Sequence, residues 1–151
     1  MKRTISILLA ALLLVAALTG CGKKELEPRS FVDELLSGAK FTDSLSELPT
    51  AVVPILFGLD EADYTDAVVY AGTGATAETI AVFTASSDAA ADRLLSAMRQ
   101  YVDDQIRIYS SYGPAAAMTL ENSVVTRSGD YVVVVVCSDN ESAGKICEKY
   151  F

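Results

Sequence analysis

The chain has 151 residues, with twelve Lys/Arg against twenty Asp/Glu, a formal charge of −8, and no histidine. That charge argues against a nucleic-acid footprint, which needs a basic surface. Without histidine there are no Ser-His or Cys-His nucleophile pairs, no His-ligated metal sites and no imidazole switch near neutral pH.

At the N-terminus Lys2 and Arg3 precede an apolar run from Ile5 to Leu18, broken only by Ser6. A permanent spanning helix needs about 20 apolar residues, so this run is short for a membrane anchor and suits a secretory signal. It ends in Leu18-Thr19-Gly20-Cys21, which resembles the lipobox of bacterial lipoproteins. The thiol is the acyl-accepting nucleophile, and the small residues let the extended peptide enter a narrow protease site. The expectation is a signal peptide over 1–20, a lipidated tether over 21–29 and one globular domain over 30–151. An ordinary signal peptide with an unrelated cysteine, or an uncleaved anchor, is the competing reading. Acyl chains on Cys21 would hold the protein on the extracytoplasmic face of the cell membrane, since two chains bury enough methylenes for durable attachment. Removing 1–20 takes two cations and no acid, so the mature body is more acidic still and would be repelled by an anionic bilayer.

Within the domain, Ser30 is the expected cap of a short helix carrying Phe31, Leu35 and Leu36 and ended by Gly38. The apolar stretch Leu48–Phe57 contains Pro49 and Pro54, so a helix there is kinked or cut short. Asp66–Ala71 and Glu78–Thr84 read as two strands of a hairpin joined by Gly72-Thr73-Gly74-Ala75-Thr76. Ser86-Ser87-Asp88 opens a long helix to Tyr109, with Ala91, Leu94, Leu95, Met98, Val102, Ile106 and Tyr109 on one stripe. After the Tyr112-Gly113-Pro114 break, Ala115–Leu120 forms a turn of helix. Asn122–Thr126 and Tyr131–Cys137 form a second hairpin across Ser128-Gly129-Asp130. The run of five valines has no polar alternation, so this last strand is covered on both faces. Ser138-Asp139-Asn140 caps a final helix with Ala143, Ile146, Cys147 and Tyr150.

The order α-α-β-β-α-β-β-α predicts an α+β fold. Its sheet is expected to be four-stranded and mainly antiparallel, with the long helix and the C-terminal helix packed on one face. Phe31–Leu36 and Val52–Phe57 are then the segments left to cover the other face.

Several fragments imitate catalytic motifs. Ser37-Gly38-Ala39-Lys40 and Ser142-Ala143-Gly144-Lys145 fit S-x-x-K, and Ser138-Asp139-Asn140 spells S-D-N, but K-T-G is missing and Ser37 closes a helix instead of opening one. The acids Asp60, Glu61, Asp63 and Asp66 lack the alternation and glycine of a calcium loop. No catalytic residue, metal or cofactor is expected. Cys137 and Cys147 are expected to be free thiols, because a helix stacked on a sheet lies about 10 Å from it and a disulfide needs Cα atoms within about 7 Å.

From about Phe31 onward the chain resembles a family of small bacterial lipoproteins, the domain of unknown function catalogued as forty-three fifty-eight. The resemblance is carried by Asp66–Tyr70, Ala77-Glu78-Thr79-Ile80-Ala81-Val82-Phe83, Arg99, Gln105, Tyr109, Tyr112-Gly113-Pro114, Asn122 and Gly129-Asp130-Tyr131-Val132. It implies an envelope role and hands over no mechanism. Glu78, Arg99, Gln105 and Tyr112 are the polar residues to watch, either as a polar pocket at the helix–sheet edge or with Glu78 and Arg99 as a structural ion pair. The favoured function is a non-catalytic binding or adaptor module with an envelope protein or glycan partner. The alternative is an accessory subunit of an envelope polysaccharide-modifying enzyme system, using carboxylates such as Glu78 with Asp66.

Overall fold

In the computed structural model, residues 25–151 are described. The expected signal segment 1–20 and the expected lipid-bearing Cys21 lie outside the described residues.

The first helix, α1 (Pro28–Gly38), starts three residues earlier than the Ser30 cap predicts. Glu27 takes the capping role, its carboxylate accepting from the N–H groups of Arg29 and Ser30, and Pro28 presets the first helical φ. A two-residue strand β1 (Ser46–Glu47) follows, then a 3-10 turn over Thr50–Val52. In α2 (Val53–Phe57), Pro54 sits in the first turn, where its missing N–H costs nothing, and Gly58 at φ 64 ends the helix. Strands β2 (Tyr64–Ala71) and β3 (Thr79–Ala85) form the expected hairpin. The long helix α3 (Asp88–Tyr109) is capped by the Ser87 hydroxyl. Helix α4 (Pro114–Glu121), β4 (Val124–Ser128), β5 (Tyr131–Val136) and α5 (Asn140–Cys147) complete the chain. β4 starts two residues beyond the expected Asn122, because Asn122 is the C-cap of α4.

The sheet is antiparallel throughout, in the order β1-β2-β3-β5-β4. It has five strands and not four. The extra one, β1, adds only the pairs Ser46 with Ala71 and Glu47 with Tyr70 at the edge, too short for any alternation to show in sequence.

The helices do not share a face. Ala81, Phe83, Val132, Val134 and Val136 point to one side, where α3 lays down Ala91, Leu94, Met98 and Val102. Ile80, Val82, Val133 and Val135 point to the other side, where α1 and α5 supply Phe31, Val32, Leu35, Ala143 and Ile146. The expectation that the long and C-terminal helices pack together is therefore corrected. The β-strand period of two explains why both layers are needed: all five valines of β5 are fully buried, and so are both sides of β3. Of the two segments proposed as second-face cover, Phe31–Leu35 does that work beside α5. Val53 and Phe57 instead join α3, with Phe57 edge-on to Phe83 at 5.7 Å and to Tyr101 at 4.7 Å.

The chain enters the fold at one end of the sheet. Leu26 is buried there and lines a shallow cleft with Gly129 and Asp130 of the β4–β5 turn, Tyr150 and Phe151. The β2–β3 loop, the start of β3, the end of β5 and the α3–α4 corner lie at the opposite end. Among the described residues no helix is long and apolar enough to cross a membrane.

Candidate functional site at the far end of the sheet

Glu78 immediately precedes β3 and is 2% exposed. A carboxylate so buried needs partners, and here they are all backbone N–H groups. Thr42 donates to both oxygens at 3.1 and 2.8 Å, Asp43 to Oε2 at 2.7 Å, and Ser138 to Oε1 at 3.1 Å. The expected ion pair with Arg99 does not form: Arg99 is exposed on α3, and Glu78 is satisfied by amides.

Glu78 thus ties three segments together: the loop after α1, the start of β3 and the β5–α5 junction. A second carboxylate extends the tie. Asp43 accepts from the N–H and hydroxyl of Thr73 at 2.7 and 2.9 Å and from the Thr76 hydroxyl at 3.3 Å. The Thr73 N–H is the main reason its carboxyl sits below the ordinary value. A Cβ at Gly72 would come within 2.6 Å of Asp43 Oδ2, so a side chain there would displace this carboxylate. Across the loop, the buried Tyr109 donates its hydroxyl to the carbonyls of Thr76 at 3.2 Å and Gly74 at 3.4 Å. The Ser138 hydroxyl donates to the Lys40 carbonyl at 2.8 Å.

These contacts frame a cleft of about 340 Å³ lined by Thr42, Ala75–Glu78, Gly113, Ala115, Ala116, Thr119 and Ser138. A larger groove of about 560 Å³ lies on the other side of the same loop, between Leu36–Phe41 and Asp139, but it is wide open to solvent. The smaller cleft is the better site, being more enclosed and holding the buried carboxylate.

Of the four polar residues singled out in sequence, Glu78 lines this cleft and Tyr112 stands one residue from its Gly113 wall. Arg99 and Gln105 lie on α3, exposed and half-buried respectively, and line none of it. Asp66 pairs with Thr84 near the start of β2, five residues along β3 from Thr79, the pairing partner of Ala71, so it does not meet Glu78. Thr42, Asp43, Thr76 and Ser138 were invisible as site residues, since contacts spanning 35 to 60 residues leave no periodic mark.

The imitations of catalytic motifs are accounted for locally. The Ser37 hydroxyl bonds back to the Asp33 carbonyl at 2.8 Å, and Lys145 pairs with Glu141 at 2.6 Å. Asp63 of the acidic run is held by the Arg93 guanidinium at 2.5 Å, which keeps its carboxyl below the ordinary value. Among the described residues no group of three or more His, Cys, Asp or Glu is placed to hold a metal ion.

The profile of a protein family described as a domain of unknown function, DUF4358, matches residues 42–137. The chain belongs to that family. No curated relative and no solved structure matches it. The DUF4358 span begins after α1 and ends before α5, a narrower stretch than the resemblance from Phe31 onward. It contains the whole sheet, Glu78 and the amides of Thr42 and Asp43. The two helices that cover the second face, and Ser138, fall outside it.

Proposed function

We propose that this DUF4358 protein is a lipid-anchored, extracytoplasmic binding module that presents the Glu78 cleft away from the membrane. One observation carries the reading. The chain enters at Leu26, beside the β4–β5 turn, while the cleft opens at the other end of the strands. β3 has seven residues and spans about 23 Å. Cys21 precedes Leu26 by five residues, a reach of about 17 Å when extended, so acyl chains there would hold the tether end close to the bilayer. Both sheet faces are occupied by the protein's own helices, which leaves the ends and edges for a partner.

The expected carboxylate pair of Glu78 and Asp66 is not brought together, so nothing in the geometry favours the accessory-enzyme alternative. Glu78 spends its acceptor capacity on backbone amides, an arrangement suited to shaping a binding loop.

The test uses single cysteines in the full-length lipidated chain, at Ala75 in the far loop and at Asp130 in the turn beside the tether. Both should react with a membrane-impermeant maleimide on intact cells. In vesicles containing spin-labelled lipid, a fluorophore at Asp130→Cys should be quenched and one at Ala75→Cys should not. Cys21→Ala should lose acylation and cleavage before residue 21. Protection from the maleimide, equal quenching at the two sites, or a Cys21→Ala variant still acylated and still processed there would each sink the proposal.

A further inference from the structure

Resting on the reading that the end farthest from the tether meets ligands, we infer that the Glu78 cleft binds an uncharged saccharide segment. The argument is the chemistry of the wall. Thr42, Thr119 and Ser138 bring hydroxyls to the lining, each with one proton and two acceptor positions, while the Thr76 hydroxyl is already engaged by Asp43 and the Glu78 N–H. Thr119 commits its proton to the Ala115 carbonyl at 3.1 Å and Ser138 to that of Lys40 at 2.8 Å. What these two oxygens offer a ligand is acceptor capacity, matched by ligand O–H donors.

Charge decides against the other ligand classes. No Lys or Arg lines the cleft, so a phosphate, sulfate or carboxylate would find no cationic partner there to offset its desolvation beside the Glu78 carboxyl. A cationic ligand would need free oxygen on Glu78, but the amides of Thr42, Asp43 and Ser138 already take four hydrogen bonds there. Glu78 therefore turns anions away without gripping an amine. The exposed wall is mostly apolar, but its apolar side chains are the single methyls of Ala75, Ala77, Ala115 and Ala116, which form no deep slot for a hydrocarbon chain.

A small, mostly apolar wall carrying a few hydroxyls fits a sugar ring, whose C–H faces are apolar and whose edge is hydroxylated. An aromatic surface completes the match. Tyr112 is 66% exposed beside the Gly113 wall, and its ring packs at 5.1 Å on Tyr109, which is itself pinned to the Thr76 carbonyl. An exposed tyrosine held by a buried one is a stacking platform with its orientation already limited. The volume of about 340 Å³ lies at the lower end of small-molecule sites, enough for a short segment of a glycan.

The test is saturation-transfer NMR on the full-length lipidated protein in nanodiscs, at millimolar ligand. The probes are maltotriose, cellotriose and the N-acetylglucosamine trisaccharide, with glucose 6-phosphate and the glucosamine trisaccharide as charged controls. At least one neutral trisaccharide should show transfer, and both charged probes should show less. Tyr112→Ala should weaken binding about five- to tenfold. Ala116→Arg and Thr119→Arg, which fill the cleft from α4, should abolish it with an unchanged urea midpoint. Absence of transfer from all three neutral probes, a stronger signal from a charged one, or binding that survives both arginine variants overturns the inference. The quenching difference between Ala75→Cys and Asp130→Cys, measured in the same nanodiscs, tells a failed ligand class from a failed orientation.

Discussion

Ser138 donates its backbone N–H to Glu78 Oε1 at 3.1 Å, across sixty residues of chain. That bond joins the last residues of the central hairpin strand to the first of its neighbour, and the Thr42 and Asp43 amides close the ring from the loop after α1. Removing the carboxylate leaves several amides short of an acceptor in a partly buried place. Glu78→Ala should cost about 2–4 kcal/mol, and Glu78→Gln less, because its one oxygen still accepts while its NH2 faces a donor. Arg99→Ala should stay within about 0.5 kcal/mol. Urea unfolding checks this. Equal costs for Glu78→Ala and Arg99→Ala, or a coupling between them in the double variant, would restore the ion-pair reading.

The two layers are held by different aromatics, and each can be tested alone. Phe31 is fully buried between the second sheet face and the C-terminus, with ring contacts to Tyr150 at 4.9 Å and Phe151 at 6.0 Å. Phe57 is buried on the first face. Phe31→Ala should cost about 3–5 kcal/mol. Phe57→Ala should cost less, because α2 is a five-residue helix with Ile55 83% exposed and can settle onto Tyr101. Deleting residues 28–38 should bare Ile80, Val82, Val133 and Val135 and produce strong binding of a hydrophobic dye. A monomeric, dye-silent, cooperatively folding deletion variant would show that α1 is not the cover.

Stability should be flat across neutral pH and fall at both extremes. The Thr73 N–H beside Asp43, the Arg93 guanidinium beside Asp63 and the Ser142 hydroxyl beside Asp139 each hold a carboxyl below its ordinary 3.8. Those contributions are present above 3.8 and are lost as pH falls below it, because the unfolded chain takes up protons first. On the alkaline side Cys137 and Cys147 are both buried and free, and burial pushes their thiols from 9.0 up to about 11 and about 12. The folded state keeps those protons when the unfolded chain has lost them. Their contribution is therefore complete below 9.0 and is lost as pH rises past it. With no histidine in the chain, urea midpoints should show no step between about pH 6 and pH 8. Neither thiol should react with a disulfide reagent at neutral pH until urea unfolds the protein. A midpoint step near neutrality, or rapid native reaction of either cysteine, would contradict these assignments.

The parts legible in sequence are those written in neighbouring residues. The stripe from Ala91 to Tyr109 and the Ser87 cap specify α3, and five consecutive valines require β5 to be covered on both sides. Gly129 at φ 55 marks the tight β4–β5 turn, and the Leu18-Thr19-Gly20-Cys21 motif sets the expected processing site without reference to the fold. Only the tertiary structure decided which layer each apolar face meets. Periodicity says that α5 has an apolar side, but not that it crosses to the face opposite α3, because that depends on the direction the chain takes after Cys137. The same holds for β1, whose two residues become a strand solely because β2 presents a free edge. The partners of Glu78 are backbone amides, which every residue but proline possesses. No choice of side chain at Thr42, Asp43 or Ser138 announces that its N–H will be used, so that site existed only once the three segments had been folded together.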